Sequence, residues 1–209
     1  IGNGISIVVA LFAAYRRNSF FDKLIMLFTS IGVSLSLVIV IIGFQFLFSS
    51  SYGLDLFPVQ GWDLDSFSDY LRYATVPILV LSFVSINYNT RFFRAILLEE
   101  IGKDHVRTAI AYGYSRRVML FKHVLRNALI PILTRMIFMI PLVFMGGSLL
   151  IESYFTIPGV GSITYDAMSS GDVPVLKAVM SCSSFIYIFI LFITDILYSL
   201  IDPRIGGGL

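Results

Sequence analysis

Charge is what this sequence has least of. Only 13% of its 209 residues are Asp, Glu, Lys or Arg, against 57% hydrophobic residues and a mean hydropathy of +0.87. Soluble domains carry about a quarter charged residues, so a water-solvated globule is excluded and the chain reads as an all-α integral membrane protein. Cysteine is nearly absent too. With Cys182 alone, neither an internal disulfide framework nor a multi-cysteine metal site can form, and a lone cysteine in an apolar run reads as a small packing residue. Catalytic signatures are missing. There is no G-x-x-x-x-G-K-[ST] loop to cradle ATP phosphates, no H-E-x-x-H and no G-x-S-x-G. The G-x-G formed by Gly159 and Gly161 follows no strand and reads as a turn. His105 and His123 have no acid cluster beside them and read as structural or interfacial residues. No cofactor or metal is expected, and a net charge of +2 is too small to point to nucleic acid.

What the chain does have is long apolar runs. A hydrocarbon core of about 30 Å needs roughly 20 apolar helical residues. Five runs meet or approach that: Ile1 to Tyr15, Leu24 to Phe48, Ala74 to Thr90, Ala128 to Leu150 and Val175 to Ile201. The first residue is Ile1, already inside an apolar run with no basic stretch before it. The expectation is therefore a fragment without a cleavable signal peptide, five spans long, with a sixth preceding it in the full chain.

The charges that exist are sorted. Segments 16–23, 91–127 and 202–209 hold twelve of the fifteen basic residues, whereas 49–73 and 151–174 hold Arg72 alone among seven acidic residues. The positive-inside bias then predicts that the first group and the C-terminus face the cytoplasm, with the start of the sequence facing outward.

The 37 residues from Arg91 to Asn127 are too many for a plain connector. The spacing of Val106, Ala109 and Ile110 predicts a short helix over Asp104–Ala111, with Asp104 as its cap. Gly113 supplies a left-handed residue to end it, and Ser115 caps a second helix, Arg116 to Arg126, running into the fourth span. By patterning alone, the other reading is a basic segment that grips anionic lipid.

Within the spans, charges are costly and need partners or water. Arg135 falls about 12 Å into the fourth span and Asp195 about 10 Å into the fifth at 1.5 Å per residue. Their similar depth suggests a polar pair, the alternative being an Arg135 that snorkels to the head groups. Pro141 removes a helix hydrogen bond, and Gly146 with Gly147 allows close approach. Ser82, Ser85, Asn87, Ser181, Ser183 and Ser184 either line a polar route or bond their own helix carbonyls.

Several stretches together resemble a known family. Val106-Arg107-Thr108-Ala109, Gly113, His123, Arg126-Asn127-Ala128 and Pro131 resemble the V-R-T-A, glycine, H-x-x-R-N-A-x-x-P form of the signature loop in bacterial ABC-importer permeases of the dipeptide, oligopeptide and nickel branch. Leu56-Phe57-Pro58-Val59-Gln60-Gly61-Trp62 resembles that branch's outer-loop L-x-P-x-x-G-W. Glu152 with Pro158-Gly159-Val160-Gly161 resembles E-x-x-F-x-x-P-G-x-G, and Asp202-Pro203-Arg204 the closing D-P-R. The resemblance covers nearly the whole chain. It implies a single transmembrane domain over 1–209 of the type I importer kind, with 91–127 as a coupling loop that seats on a separate ATPase. Asp104, Arg107, Thr108, Ala109, Gly113 and Ser115 would form that joint: Arg107 and Thr108 facing the ATPase, Ala109 allowing close approach, Gly113 making the turn. Ile110 and Tyr112 stand where relatives carry a basic residue.

The implied protein is no enzyme itself. It works in the inner membrane with two ABC ATPase subunits, a second permease, an outer solute-binding protein and surrounding lipid. Short peptides are the expected cargo and nickel or another small solute the alternative. A secondary transporter would need midplane carboxylates, of which Asp195 is the lone and off-centre candidate.

Overall fold

The computed structural model describes residues 1–62, 66–144 and 149–201. Gly146, Gly147 and the Asp202-Pro203-Arg204 ending lie outside these. The described residues are helical with no β-strand: α1 (Gly2–Tyr15), α2 (Phe20–Ser34), α3 (Leu37–Ser49), α4 (Phe67–Ile101), α5 (Asp104–Ala111), α6 (Arg116–Val118), α7 (Leu125–Phe144), α8 (Leu149–Phe155), α9 (Val160–Ser170) and α10 (Val173–Ile201). A π-helical turn, Met119–Val124, joins α6 to α7 without a break. Three helices are long and apolar enough to cross a membrane among the described residues, or four if α2 and α3 count as one broken span. The 14-residue α1 is apolar but shorter.

The run expected as one span over Leu24–Phe48 is interrupted, because Leu35 turns to an extended conformation (φ −75°, ψ 133°). Its local chemistry explains this. Ser30 and Thr29 both donate to the Met26 carbonyl and Ser34 donates to the Ser30 carbonyl, and such back-bonding loosens a helix already weakened by Gly32. A hydropathy pattern registers apolarity and is blind to that backbone competition. The opposite happens at α4, whose 35 residues reach about 52 Å at 1.5 Å each. It is longer than a hydrocarbon core of about 30 Å requires and tolerates Pro77 internally.

The chain divides into two compact units. In the first, Ile1–Ser36 with Leu81–Met136, the core joins Ala10, Leu11 and Ala14 of α1 to Phe93 and Leu97 of α4 and Val106 of α5, then to Met119, Leu120 and Val124 of the π turn and Ala128 and Ile132 of α7. Small residues let α1 come close. A polar contact joins α1 to α4: Asn3 Oδ1 accepts from Ser85 Oγ (3.1 Å) and Asn89 Nδ2 (2.6 Å). In the second unit, Leu37–Val80 with Ile137–Leu209, α9 packs against α8 and α10. The segment after α3 is pinned by side chains, Gln45 donating to the Val59 carbonyl (2.9 Å) and Ser49 to that of Pro58 (3.3 Å). Pro141 falls in α7, whose backbone stays helical to Phe144.

Candidate functional site

Helix α5 covers Asp104–Ala111 as its sequence spacing predicts. Both ends are fixed by backbone chemistry. At the C-terminal end, Gly113 N–H donates to the Ile110 carbonyl (2.9 Å) and Tyr114 N–H to that of Ala109 (3.3 Å). This is the double closing bond of a helix ended by a left-handed residue, and Gly113 takes that role with φ +80°. Ser115 then starts the next helix, its Oγ accepting from Val118 N–H at 3.5 Å.

The N-terminal end differs from expectation. Lys103, in extended conformation, occupies the capping position and makes no side-chain cap bond. Asp104 stands inside the first turn, its carboxylate almost fully exposed and 3.5 Å from Arg107 Nη1. A cap must precede the helix in extended backbone; Asp104 is one residue too late, and there its charge favours the positive end of the helix dipole instead.

One narrow face of α5 is buried. Val106 and Ala109 sink into the first unit's core, whereas Arg107, Thr108, Ile110, Ala111 and Tyr112 remain exposed. The close approach that Ala109 permits is thus to its own unit. Beneath the helix lies a polar clasp. Glu100, 5% exposed, pairs with Lys103 Nζ, which holds the Lys103 ammonium above its ordinary pKa range. His105 Nε2 lies 3.3 Å from Glu100 Oε1 and 3.1 Å from Asn127 Nδ2. His105 therefore stands between the end of α4 and the start of α7: with a proton on Nε2 it donates to Glu100, and without one it accepts from Asn127 Nδ2. His123, by contrast, packs its ring against that of Tyr114, tilted 48° with centres 5.3 Å apart. Deeper still, Arg94 Nε and Nη2 each donate to Asp22 carboxylate oxygens at 2.7 Å, and Asn18 N–H donates to the same group. This two-pronged pair ties α2 to α4 just before α4 leads into α5.

The sequence did not disclose that pair, since 72 residues separate its members. A local signal was present, though: Ser19 caps α2 and accepts from Asp22 N–H, so S-x-x-D marked Asp22 as part of a helix start. Arg135 belongs to the first unit, its guanidinium 4.1 Å from the Phe92 ring centre and 5.3 Å from that of Tyr88, a cation–π setting. Asp195 is exposed on α10 in the second unit. Among the polar residues of these helices, Ser184 and Asn87 bond their own helix carbonyls, while Ser85 reaches Asn3. Cys182, read as packing, is exposed.

The second unit holds its own helical hairpin. Glu152 of α8 reaches across the turn, where Gly161 N–H (2.7 Å) and Ser162 N–H (3.3 Å) donate to its Oε2. A carboxylate thereby sits at the N-terminal end of α9, favoured by the dipole. The L-x-P-x-x-G-W segment docks here as well: Gln60 Nε2 donates to the Tyr154 carbonyl and Gly61 N–H to that of Phe155, both at 3.3 Å. Motifs far apart in sequence thus meet in one hydrogen-bonded cluster.

Residues 6–207 match the family described as the binding-protein-dependent transport system inner membrane component. The chain is 34% identical over 196 residues to a Sinorhizobium fredii protein named "Probable peptide ABC transporter permease protein", covering 92% of this chain and 61% of the relative. It is 34% identical over 193 residues to a dipeptide transport system permease protein of Lactococcus lactis (92% and 61%), and 39% identical over 137 residues to an oligopeptide transport system permease protein of Bacillus subtilis (66% and 43%). The chain spans about three fifths of the length of the first of these relatives. It belongs to the family of binding-protein-dependent transport system inner membrane components.

Proposed function

We propose that this chain is the membrane-spanning permease subunit of an ATP-driven importer of di- and oligopeptides in the bacterial inner membrane. Its basic side and its C-terminus face the cytoplasm, and 1–209 acts as one transmembrane domain with 91–127 as its coupling loop. A second, similar permease completes the channel, two ATPase subunits hydrolyse ATP, and an outer solute-binding protein delivers the cargo. The names carried by the relatives support peptides as that cargo.

The observation that supports this reading best is the shape of α5. A single helix, buried through Val106 and Ala109 alone, is clamped at both ends and offers the rest of its surface outward. An element built to grip only its own unit would bury more of itself. Force applied at Arg107 and Thr108 would pass through the Glu100–His105–Asn127 clasp into α4 and α7. The offered face mixes one guanidinium with Ile110 and Tyr112, 54% and 81% exposed, so the partner groove is expected to be partly apolar. Ala109, Gly113 and Ser115 position the helix, while Arg107 and Thr108 touch the partner.

A cysteine at Thr108 tests the joint by cross-linking to the ATPase subunit in the assembled complex, with a yield that changes on nucleotide binding. Uptake of labelled peptide against nickel, in vesicles supplied with ATP and binding protein, tests the cargo. Nickel uptake without peptide uptake would replace the peptide assignment and leave the joint intact. Absence of any Thr108 cross-link would remove the joint itself.

A further inference from the structure

The first unit contains a largely apolar groove of about 420 Å³ whose lining includes two arginines. Val8, Phe12 and Phe121 are its exposed apolar residues and Leu120 is buried in the core; Arg16 and Arg117 complete the lining. None of its lining residues is acidic. We propose that this groove is a binding site for one anionic phospholipid, its phosphate held by Arg16 and Arg117 and one acyl chain laid along the groove.

Three observations favour that occupant. The first is length. Val8 lies eight residues from Arg16 along α1 and its terminus, about 12 Å at 1.5 Å per residue, close to the roughly 15 Å of one leaflet in a core about 30 Å thick. The second is the state of the arginines. The guanidinium of Arg16 lies 5.6 Å from the Phe12 ring centre and 5.3 Å from that of Phe21. A guanidinium engaged through its flat face keeps N–H donors for an oxygen acceptor. Neither Arg16 nor Arg117 is ion-paired among the described residues, and Arg116, over Tyr15 at 5.3 Å, adds a further positive charge nearby. The third is order: charge at the helix end and apolar surface inward from it match a phospholipid from head to tail. Basic pockets between spanning helices recognise anionic head groups in this way. An acidic peptide or a free phosphate would use the arginines and leave the groove empty, and the ammonium of a zwitterionic lipid gains nothing from two guanidiniums. The site does not depend on what the transporter carries.

Native mass spectrometry of the full-length chain in its assembled complex, offered equal phosphatidylglycerol and phosphatidylcholine, tests this. Surface charge interactions of about 1 kcal/mol per arginine set a preference of roughly 30-fold for phosphatidylglycerol, lost in the Arg16→Gln/Arg117→Gln double variant. Val8→Trp, on an exposed position, plugs the groove with both charges kept and is expected to abolish retention as well. Excess glycerol 1-phosphate is expected not to displace the lipid. The proposal is overturned if the double variant keeps the preference, or if Val8→Trp binds as the parent does, which would reduce the arginines to a general charged surface. It is equally overturned if the free head group competes, or if the full-length complex retains no phosphatidylglycerol because another segment fills the groove.

Discussion

Two helical hairpins in this molecule depend on a glycine, and for opposite reasons. At the end of α5, Gly113 stands in open space with φ +80°, and nothing lies within 4 Å of where a Cβ would be. It is there for its backbone. At the start of α9, Gly161 has no positive φ, yet a Cβ on it would lie 2.7 Å from Leu149 Cα. It is there for its lack of volume. The difference follows what each hairpin does with its surface. The α5 hairpin turns sharply and leaves most of itself outward, whereas α8–α9 closes tightly on its own carboxylate. An outward face suits an element that receives a partner, and an inward lock suits one that keeps a shape.

The largest expected effect comes from removing the support under the outward hairpin. Asp22→Ala leaves Arg94, which is only 18% exposed, without its two-pronged acceptor. Breaking such a buried pair from one side costs about 3 kcal/mol, read as a lowered midpoint of denaturant or thermal unfolding in detergent. Arg94→Lys is expected to recover little, since a single ammonium cannot reproduce two parallel bonds to one carboxylate. A midpoint within error of the parent would show that α5 is held without this pair.

Next in size is Gly161→Ala. The new methyl meets the Leu149 backbone as well as the Glu152 carboxylate, so overpacking of about 2 kcal/mol is expected, with faster amide exchange across 159–164. Asn at the same position is expected to be worse still. Gly113→Ala is milder, about 1 kcal/mol for a left-handed non-glycine residue, and Gly113→Asn is expected to recover most of it because Asn tolerates that region. Asn thus separates the two glycines. Rescue at 161 or failure at 113 would reverse the roles assigned to them.

That contrast also marks what a sequence can disclose. The bounds of α5 and the left-handed turn at Gly113 were legible, because helix spacing and a glycine after it are local signals. The sequence marks Gly161 only as a turn, since its reason for being small is Leu149, on another helix. Similarly, the pair of Asp22 with Arg94 and the meeting of Gln60 with the Tyr154 carbonyl depend on which helices end up adjacent. The break at Leu35 was missed for a different cause: hydropathy counts apolar atoms, whereas the break comes from hydroxyls competing for helix carbonyls. The same kind of local reading assigns the cap to Asp104, one residue after the true cap Lys103, because caps and first-turn acids share a preference for Asp.

The smallest effect sharpens the comparison most finely. Asn127→Ala removes one of the two neighbours of His105 Nε2 and leaves Glu100 in place. Since the clasp is partly exposed, with His105 41% accessible, the loss is about 0.5 kcal/mol, too small to move an unfolding midpoint clearly. Its effect should be local. With Asn127 gone, no donor competes for the His105 Nε2 lone pair, and the form that carries Nε2–H and donates to Glu100 is favoured, so α5 stays joined to α4 but loosens from α7. Hydrogen exchange should therefore rise at the start of α5 while amides of α8 and α9 keep their parental rates. If the proposed joint is correct, ATP hydrolysis by the assembled complex should also become less dependent on the binding protein and its cargo, because motion received at α5 reaches one spanning helix instead of two. Unchanged coupling alongside raised exchange would mean that α4 alone carries the force, and the role assigned to Asn127 would fall with it.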